Sequence, residues 1–184
     1  MVAGLVIIGI VVLILLWVIA AYNGLVKKRI ATEEGFSTMD VYLKKRFDLI
    51  PNLVETVKGY AKHESETLQA VIAGRGGNYG SMSDAEKIET GEKLSRIIPN
   101  ILALAEQYPD LKANQNFMQL SGELSSLEND IANARKYYNG TVKNYNMACQ
   151  TVPSNIIASI FNFQTKRMFE VSDEAQRENV KVSF

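Results

Sequence analysis

Few side chains in this 184-residue chain are of the kinds that perform catalysis or hold metals, and their spacing argues against both roles. His63 is the single histidine. A zinc metalloprotease would place a second histidine four residues on, where Thr67 stands, and a di-iron bundle needs two Glu-x-x-His pairs. Cys149 is the single cysteine and has no histidine at a nearby helical position to activate it. We therefore expect no enzyme activity, no metal and no cofactor.

Two further patterns resemble known sites but lack an essential part. The glycine-rich stretch at 74–81 has no Gly-Lys-Ser/Thr ending and follows a helical pattern, so it predicts a flexible turn and not a phosphate-binding loop. Glu33 and Glu34 stand among solvent-facing positions, where paired carboxylates are usually just solvated. Basic and acidic residues balance at 20 each, so no overall positive charge indicates nucleic acid as a partner.

Tyrosines and C-terminal apolar residues are better candidates, for binding rather than for catalysis. Tyr138 and Tyr145 lie in a Tyr- and Asn-rich stretch, and tyrosine is common at interfaces. Half of these rings could equally complete a helical core. The segment IIASIFNF at 156–163 includes Ile157 and Phe161 and fits three roles: contact with a bilayer, contact with a neighbouring subunit, or a short helix that caps the core.

The element that positions all the others is an apolar N-terminal stretch. Residues 2–21 read VAGLVIIGIVVLILLWVIAA, with no charged side chain, and as a helix they span about 30 Å, the thickness of the hydrocarbon core. Trp17 and Tyr22 lie near its end, where amphipathic rings favour the membrane interface. A cleaved signal peptide is disfavoured because no basic region precedes the run and the run is too long. We predict a transmembrane anchor.

A basic cluster directly after the anchor predicts its orientation. Lys27, Lys28 and Arg29 follow the apolar stretch, whereas no basic side chain precedes it. The positive-inside rule then puts the N-terminus outside and the remaining chain in the cytoplasm, as a single-pass protein of the cell membrane.

Beyond the anchor, apolar residues recur at three- and four-residue spacing, the pattern of helices that pack on other helices. One stretch runs from 22 to about 73, another starts at Ser83, which can form a capping box with Glu86, and a third runs from about 111 to 148. Short connections predict antiparallel neighbours. The expected fold class is all-α, with a transmembrane helix followed by an up-and-down antiparallel bundle of three to four long helices. We assign residues 1–22 to the anchor, 23–163 to the bundle and 164–184 to a polar, mobile tail.

Two prolines lie inside these periodic stretches. The apolar phase continues across Pro51 and Pro99, which predicts kinks, although Pro51 could instead divide the first stretch and give four shorter helices. Asn52 is a candidate to bond a carbonyl that Pro51 frees. The third helix, of about 40 residues, outruns the second, of about 26, by about 20 Å. If it overhangs, Tyr138 and Tyr145 have no intrachain partner and form a surface for self-association.

Several stretches of the chain resemble the LemA family. They are YNGLV at 22–26, RFDLIPNLVETVKGY at 46–60, YPDLKA at 108–113, ENDIA at 128–132 and PSN at 153–155. The resemblance covers nearly the whole chain in the right order. It implies an N-terminally anchored helical bundle of the up-and-down type, with no established enzyme activity.

Two functions remain open. The leading hypothesis is a non-catalytic, membrane-anchored helical scaffold that self-associates, binds a membrane protein complex, or does both. Asp48 and Asn52 lie off the apolar stripe and are its contact candidates. The alternative is a lipid-surface protein that senses or remodels the membrane through its C-terminal apolar segment. The expected partners are membrane lipids, further copies of the chain and another membrane protein complex.

Overall fold

A computed structural model describes residues 1–61 and 65–169, and within these ranges the chain forms helices and turns without a strand. The helices are α1 (Val2–Lys58), α2 (Ser65–Arg75), α3 (Asp84–Ala105), α4 (Pro109–Lys112), α5 (Gln115–Gln150) and α6 (Ser154–Ile160). The predicted all-α fold with one long apolar N-terminal helix is confirmed. His63 and residues 170–184 of the predicted tail lie outside the described residues.

The apolar stretch and the first helix of the bundle form one continuous helix. α1 comprises 57 residues, and its apolar part is exposed along residues 2–17, whereas Val18 and Ala21 at its end pack in the cluster with α6. Among the described residues, α1 is the helix that is long and apolar enough to cross a membrane. A core helix of a water-soluble protein would be buried, so the exposure of most of this apolar surface fits membrane anchoring.

Pro51 neither divides nor ends α1. A proline removes the hydrogen bond to the carbonyl four residues earlier, here that of Phe47. That carbonyl accepts a hydrogen bond from Nε of Arg75 at 3.1 Å, and the Arg75 guanidinium lies 3.9 Å from the centre of the Phe47 ring. The role that we assigned to Asn52 therefore belongs to Arg75. The division of the first stretch comes after Lys58 instead, and the chain returns as α2.

The chain forms two compact units, to both of which α1 and α5 contribute. We call Met1–Met39 with Ala132–Met168 the membrane unit, and Asp40–Ile131 with Phe169 the bundle unit. The two have separate hydrophobic clusters.

In the bundle unit, α1, α2, α3 and α5 surround one core, to which the short α4 adds Leu111. α1 and α5 are antiparallel here, because Arg46 pairs with Glu128 and, at the other end, Asn114 donates to the Tyr60 hydroxyl at 2.9 Å. α2 and α3 complete the arrangement, so the chain runs up, down, up and down. The buried core includes Ile50, Leu53, Val57, Val71, Leu94, Ile101, Leu111 and Leu124.

The connection from α2 to α3 is more ordered than the predicted flexible turn. Tyr79 begins a short 3-10 turn in the glycine-rich stretch, and its ring is buried. α3 then starts with the predicted capping box: the Ser83 hydroxyl accepts from the Glu86 N–H, and the Glu86 carboxylate accepts from the Ser83 N–H. The Ser83 hydroxyl also donates to the Glu86 carboxylate at 2.7 Å, and this bond, with the one from the Ser83 N–H, lowers the pKa of Glu86. The capping-box prediction is confirmed.

In the membrane unit, α5 lies antiparallel along the part of α1 that follows the apolar stretch. The rings of Phe36 and Tyr138 are 5.8 Å apart, and further along α5, Cys149 packs in the cluster around Leu25. A Cβ atom on Gly35 would lie 3.3 Å from the Tyr138 Cα, so this glycine allows the two helices to approach closely. α6 then folds back against Leu25 and the end of the apolar stretch at Val18 and Ala21.

Candidate partner-binding site

The residues that the sequence singled out on α1 line a groove on the bundle unit. It comprises two adjoining hollows between α1 and α5, of about 500 and about 420 Å³, which share Asn52. We call this surface the α1–α5 groove. One hollow is lined by Lys45, Asp48, Leu49, Asn52, Glu123, Ser126 and Leu127, and the other by Asn52, Glu55, Thr56, Asn116, Gln119 and Leu120. Asp48 and Asn52 are both exposed on this groove.

The groove combines an apolar floor with a polar rim, whose charged residues are three acidic ones and one lysine. Leu49, Leu120 and Leu127 are only partly buried, and Leu49 and Leu120 also pack against the core beneath. Asp48 and Glu123 supply carboxylates on opposite sides, from α1 and α5. Asp48 is paired on the surface with Lys44 at 2.6 Å, a contact that salt and water weaken. Such a surface suits a helix with apolar and basic side chains.

A buried arginine holds the walls of the groove together. Arg46 is fully buried, and its Nη1 donates to Glu128 at 2.8 Å and to Ser95 Oγ at 2.9 Å. Its Nη2 donates to the carbonyl oxygen of Gly91 at 2.7 Å. One side chain of α1 is thereby bonded to both α3 and α5. A Cβ on Gly91 would crowd Leu43 at 3.1 Å, so the glycine leaves room for this contact.

A second polar cluster fixes the glycine-rich connection to α1. The Tyr79 hydroxyl donates to Asp40 Oδ1 at 2.7 Å, and Lys87 Nζ lies 2.9 Å from Asp40 Oδ2. Burial, with the nearby Asp40 carboxylate as a further cause, raises the pKa of Tyr79 well above its usual value. The cluster is satisfied within the chain, so we interpret it as structural.

Tyr138 and Tyr145 do not form the exposed stripe that we predicted. Both rings are buried in the membrane unit, where Tyr138 donates to the Arg167 carbonyl at 2.8 Å. The interpretation that the third helix overhangs is wrong. α1 continues unbroken from the apolar stretch, and the end of α5 packs along α1. Burial, together with a contact to Cys149, raises the pKa of Tyr145 to about 12.

The C-terminal apolar segment has one buried side and one exposed side. Ile157 is buried against the cluster around Leu25, whereas Phe161 is half exposed, with its ring 4.8 Å from that of Tyr22. α6 therefore caps a core with one side and presents apolar atoms with the other. The predicted interface residues Trp17, Tyr22, Lys27, Lys28 and Arg29 are all exposed on α1.

The described residues offer no arrangement for metal chemistry. Within 1–61 and 65–169, no three His, Cys, Asp or Glu side chains come together as a metal site. Cys149 is half-buried beside Leu25 and Ile157, and it contacts the Tyr145 side chain. The absence of enzyme activity stays a prediction.

Sequence reasoning missed Arg46, which lies beneath the groove, and two residues that line it, Glu123 and Leu127. Arg46 stands three residues after Leu43 and four before Ile50, so it falls on the apolar face of α1. A charged residue in that register is a signal for a buried ion pair, although the sequence does not say with which residue. Glu123 and Leu127 carried no such signal, because their role depends on how α5 is placed against α1.

Comparisons with known proteins point to one family. The chain is 28% identical over 164 residues to Protein LemA of Metamycoplasma hominis, which covers 88% of this chain and 74% of that one. It is 25% identical over 175 residues to Magnetosome protein MamQ 2 of Paramagnetospirillum magneticum, a match that covers 81% of this chain and 64% of the relative. It is 24% identical over 174 residues to Magnetosome protein MamQ of Magnetospirillum gryphiswaldense (80% and 64%). The chain thus spans less than two thirds of the MamQ proteins.

The family match includes both sides of the groove and the buried ion pair beneath it. The LemA family matches residues 35–184, a span that begins within α1 and includes every later helix. Arg46 and Glu128, which come from two of the stretches noted in the sequence, contact each other in the fold. This chain belongs to the LemA family.

Proposed function

We propose that this protein is a membrane-anchored, non-catalytic scaffold whose α1–α5 groove binds a basic amphipathic helix of a partner protein at the same membrane. The observation that supports the proposal most directly is the groove itself, in which exposed leucine atoms lie between carboxylates from two helices. None of the relatives' names denotes an enzyme.

The shape and chemistry of the groove favour a helical occupant. An amphipathic helix lays its apolar side into a groove and reads it at three- and four-residue spacing. Leu49 and Leu127 would contact that side, and Asn52 can donate and accept hydrogen bonds at the rim. Asp48 and Glu123 would pair with lysine or arginine on the flanks of the bound helix.

Charge favours a different protein over a second copy of this chain. Residues 40–131 contain ten basic and fourteen acidic residues, so this part of the chain is net acidic. Copies that approach each other through their grooves would bring like charges together, which costs free energy at an interface. Burial of Tyr138 and Tyr145 also removes the surface on which the sequence-based case for self-association rested.

Anchoring explains how a modest groove can suffice. Two proteins held in one membrane meet at a high effective concentration, so that a weak contact is occupied without a large interface. The scaffold then needs only the anchor and the groove, and both are built on α1.

Site-specific photo-crosslinking in intact membranes tests the proposal. A benzophenone amino acid replaces Asn52 in the full-length chain, and the crosslinked peptides are identified by mass spectrometry. We expect one dominant adduct with a segment of another protein that has lysine or arginine and apolar residues at helical spacing. The matched control replaces Ala73, which is exposed on α2 and does not line the groove.

Charge reversal sharpens the experiment. Asp48→Lys with Glu123→Lys should lower the crosslink yield at Asn52 about tenfold, because repulsion replaces attraction at two rim positions. Glu106→Lys with Asp110→Lys, two exposed acidic residues outside the groove, should leave the yield unchanged. Adducts only with a second copy would show self-association and overturn the choice of partner. Equal crosslink yields at Asn52 and Ala73 would overturn the proposal that the groove is the binding site.

We also propose that the C-terminal domain faces the cytoplasm. The support is the exposed cluster Lys27, Lys28 and Arg29 directly after the apolar stretch. Protease added to intact cells should spare the domain, and the same protease should digest it after permeabilisation. Digestion from outside, without permeabilisation, would reverse the orientation.

A further inference from the structure

The outward side of α6 is apolar. Ile156 is 53% exposed, Ile160, one turn later, is 68% exposed, and Phe161 is 50% exposed. Ile157 and Ala158, on the opposite side, are buried. Within the described residues, no element covers the outward side. A contiguous apolar surface of this kind marks contact with another phase or molecule.

The position of α6 in the membrane unit indicates which phase that is. Ile157 and Ala158 pack with Leu25, and Val18 adjoins the same cluster. The Phe161 ring contacts Tyr22, where the apolar stretch ends. Because that stretch matches the thickness of the hydrocarbon core, its end lies at the boundary between hydrocarbon and headgroups. A helix that packs there lies at the same depth.

The charge of the membrane unit indicates which lipids. The chain is neutral overall, yet this unit has eight basic residues and only two acidic ones, Glu33 and Glu34. The basic residues are Lys27, Lys28, Arg29, Arg135, Lys136, Lys143, Lys166 and Arg167. Lys27 and Lys28 lie about 8 and 9 Å along α1 from Tyr22, a rise that places them in the headgroup layer. Basic side chains at that depth attract anionic headgroups.

We propose that α6 with Phe161 forms a second, non-spanning membrane contact of this protein, and that Lys27 and Lys28 select anionic phospholipids around it. The apolar atoms of Ile156, Ile160 and Phe161 insert at the boundary, as in interfacial helices, while Lys27 and Lys28 contact lipid phosphates. This contact is independent of the partner groove, which lies on the bundle unit.

The depth of α6 is measured on the full chain in vesicles of phosphatidylcholine and phosphatidylglycerol. In a Cys149→Ser background, a nitroxide label is placed at Ile160→Cys or, as the matched control, at Tyr137→Cys. Tyr137 belongs to the same unit and is 54% exposed. Electron paramagnetic resonance compares collisions with oxygen, which concentrates in lipid, and with a water-soluble nickel chelate. We expect the Ile160 label to favour oxygen and the Tyr137 label to favour the chelate.

Lipid selection is measured by extracting the full chain in mild detergent from vesicles with equal amounts of both lipids and analysing the lipids that remain bound. We expect phosphatidylglycerol to be enriched about fivefold, which corresponds to about 1 kcal/mol for one basic side chain near the surface. Lys27→Gln with Lys28→Gln should reduce this enrichment severalfold. The control Lys93→Gln with Lys112→Gln, two exposed lysines on the bundle unit outside the groove, should retain it.

Either measurement can overturn the proposal. An Ile160 label as accessible to the nickel chelate as the Tyr137 label would show that α6 lies in water. Bound lipid in the bulk ratio would show that the basic residues select nothing. The Lys27→Gln, Lys28→Gln variant and its lysine control should both stay in the membrane after alkaline extraction, because the apolar stretch of α1 is unchanged. Neither result depends on crosslinking at Asn52, so failure here leaves the proposed scaffold role intact.

Discussion

The membrane unit and the bundle unit use the same two helices, α1 and α5, but hold them together by different chemistry. In the membrane unit, the ring of Phe36 on α1 packs against the ring of Tyr138 on α5, and Gly35 allows the two helices to approach closely. In the bundle unit a buried guanidinium, Arg46, bonds α1 to α3 and α5. Apolar packing tolerates many neighbours, whereas a buried ion pair fixes one register.

The surfaces of the two units differ as well. The membrane unit is basic and presents apolar atoms on α6, whereas residues 40–131 are net acidic and contain the α1–α5 groove. The total charge of the chain is therefore neutral although its two units have net charges of opposite sign. This difference fits the two proposals made above, in which the membrane unit contacts lipid and the bundle unit contacts a partner protein.

The largest expected effect tests whether the tyrosines of the membrane unit are core residues. Tyr145→Asp should lower the free energy of unfolding by about 4 kcal/mol, since it removes a buried ring and leaves an unpaired charge. Chemical denaturation of the full chain in detergent, followed by circular dichroism, measures this. Tyr145→Phe is the matched control and should cost much less. If Tyr145→Asp instead kept its stability and only dissociated an assembly, the ring would be an interface residue after all.

The next effect tests the ion pair of the bundle unit. Arg46→Ala should cost about 3 kcal/mol, because Glu128 loses its partner and Gly91 and Ser95 lose a donor. Lys44→Ala, whose pair with Asp48 is exposed, should cost about 0.5 kcal/mol in the same unfolding assay. Similar losses for the two variants would mean that Arg46 is no more structural than a surface lysine.

The third effect asks whether close approach matters in the membrane unit. Gly35→Val should cost about 2 kcal/mol, because its Cβ would lie 3.2 Å from Thr141 Oγ1 and 3.3 Å from the Tyr138 backbone. Gly140→Val, on α5 with open space around it, controls for helix propensity. A thermal melt of both variants in detergent gives the comparison. Equal shifts in melting temperature would show that α1 and α5 can move apart freely.

The smallest effect concerns the polar cluster of the bundle unit and depends on pH. Tyr79→Phe should cost about 1 kcal/mol at neutral pH, through loss of the hydrogen bond to Asp40. Folding raises the pKa of Tyr79, so its contribution is fully present below the unfolded pKa of about 10 and is lost as the pH rises toward the folded value. Wild type should therefore lose stability above about pH 10 more steeply than Tyr79→Phe, in parallel titrations of unfolding. Parallel curves would contradict the burial of this hydroxyl.

The sequence predicted elements whose signals are local. Three- and four-residue spacing predicted an apolar face in the first stretch, and Phe36, Met39 and Leu43, which have that spacing, are buried. Ser83 and Glu86 identified the start of α3, because a capping box involves only neighbours in the chain. For the site, Asp48 and Asn52 were selected because they lie off the apolar face, and both are exposed on the groove.

The tertiary structure decided everything that depends on distant residues. Periodicity shows that the ring of Tyr145 faces something, but not whether that is its own α1 or another chain. Proline chemistry frees the Phe47 carbonyl, but only the return of α2 brings Arg75 to it. The sequence by itself determined the apolar stretch, the helical class and the apolar faces, since these follow from composition and local spacing. The pairing of Arg46 with Glu128, the groove above it and the place of α6 beside Tyr22 required the fold, because each joins residues far apart in the chain.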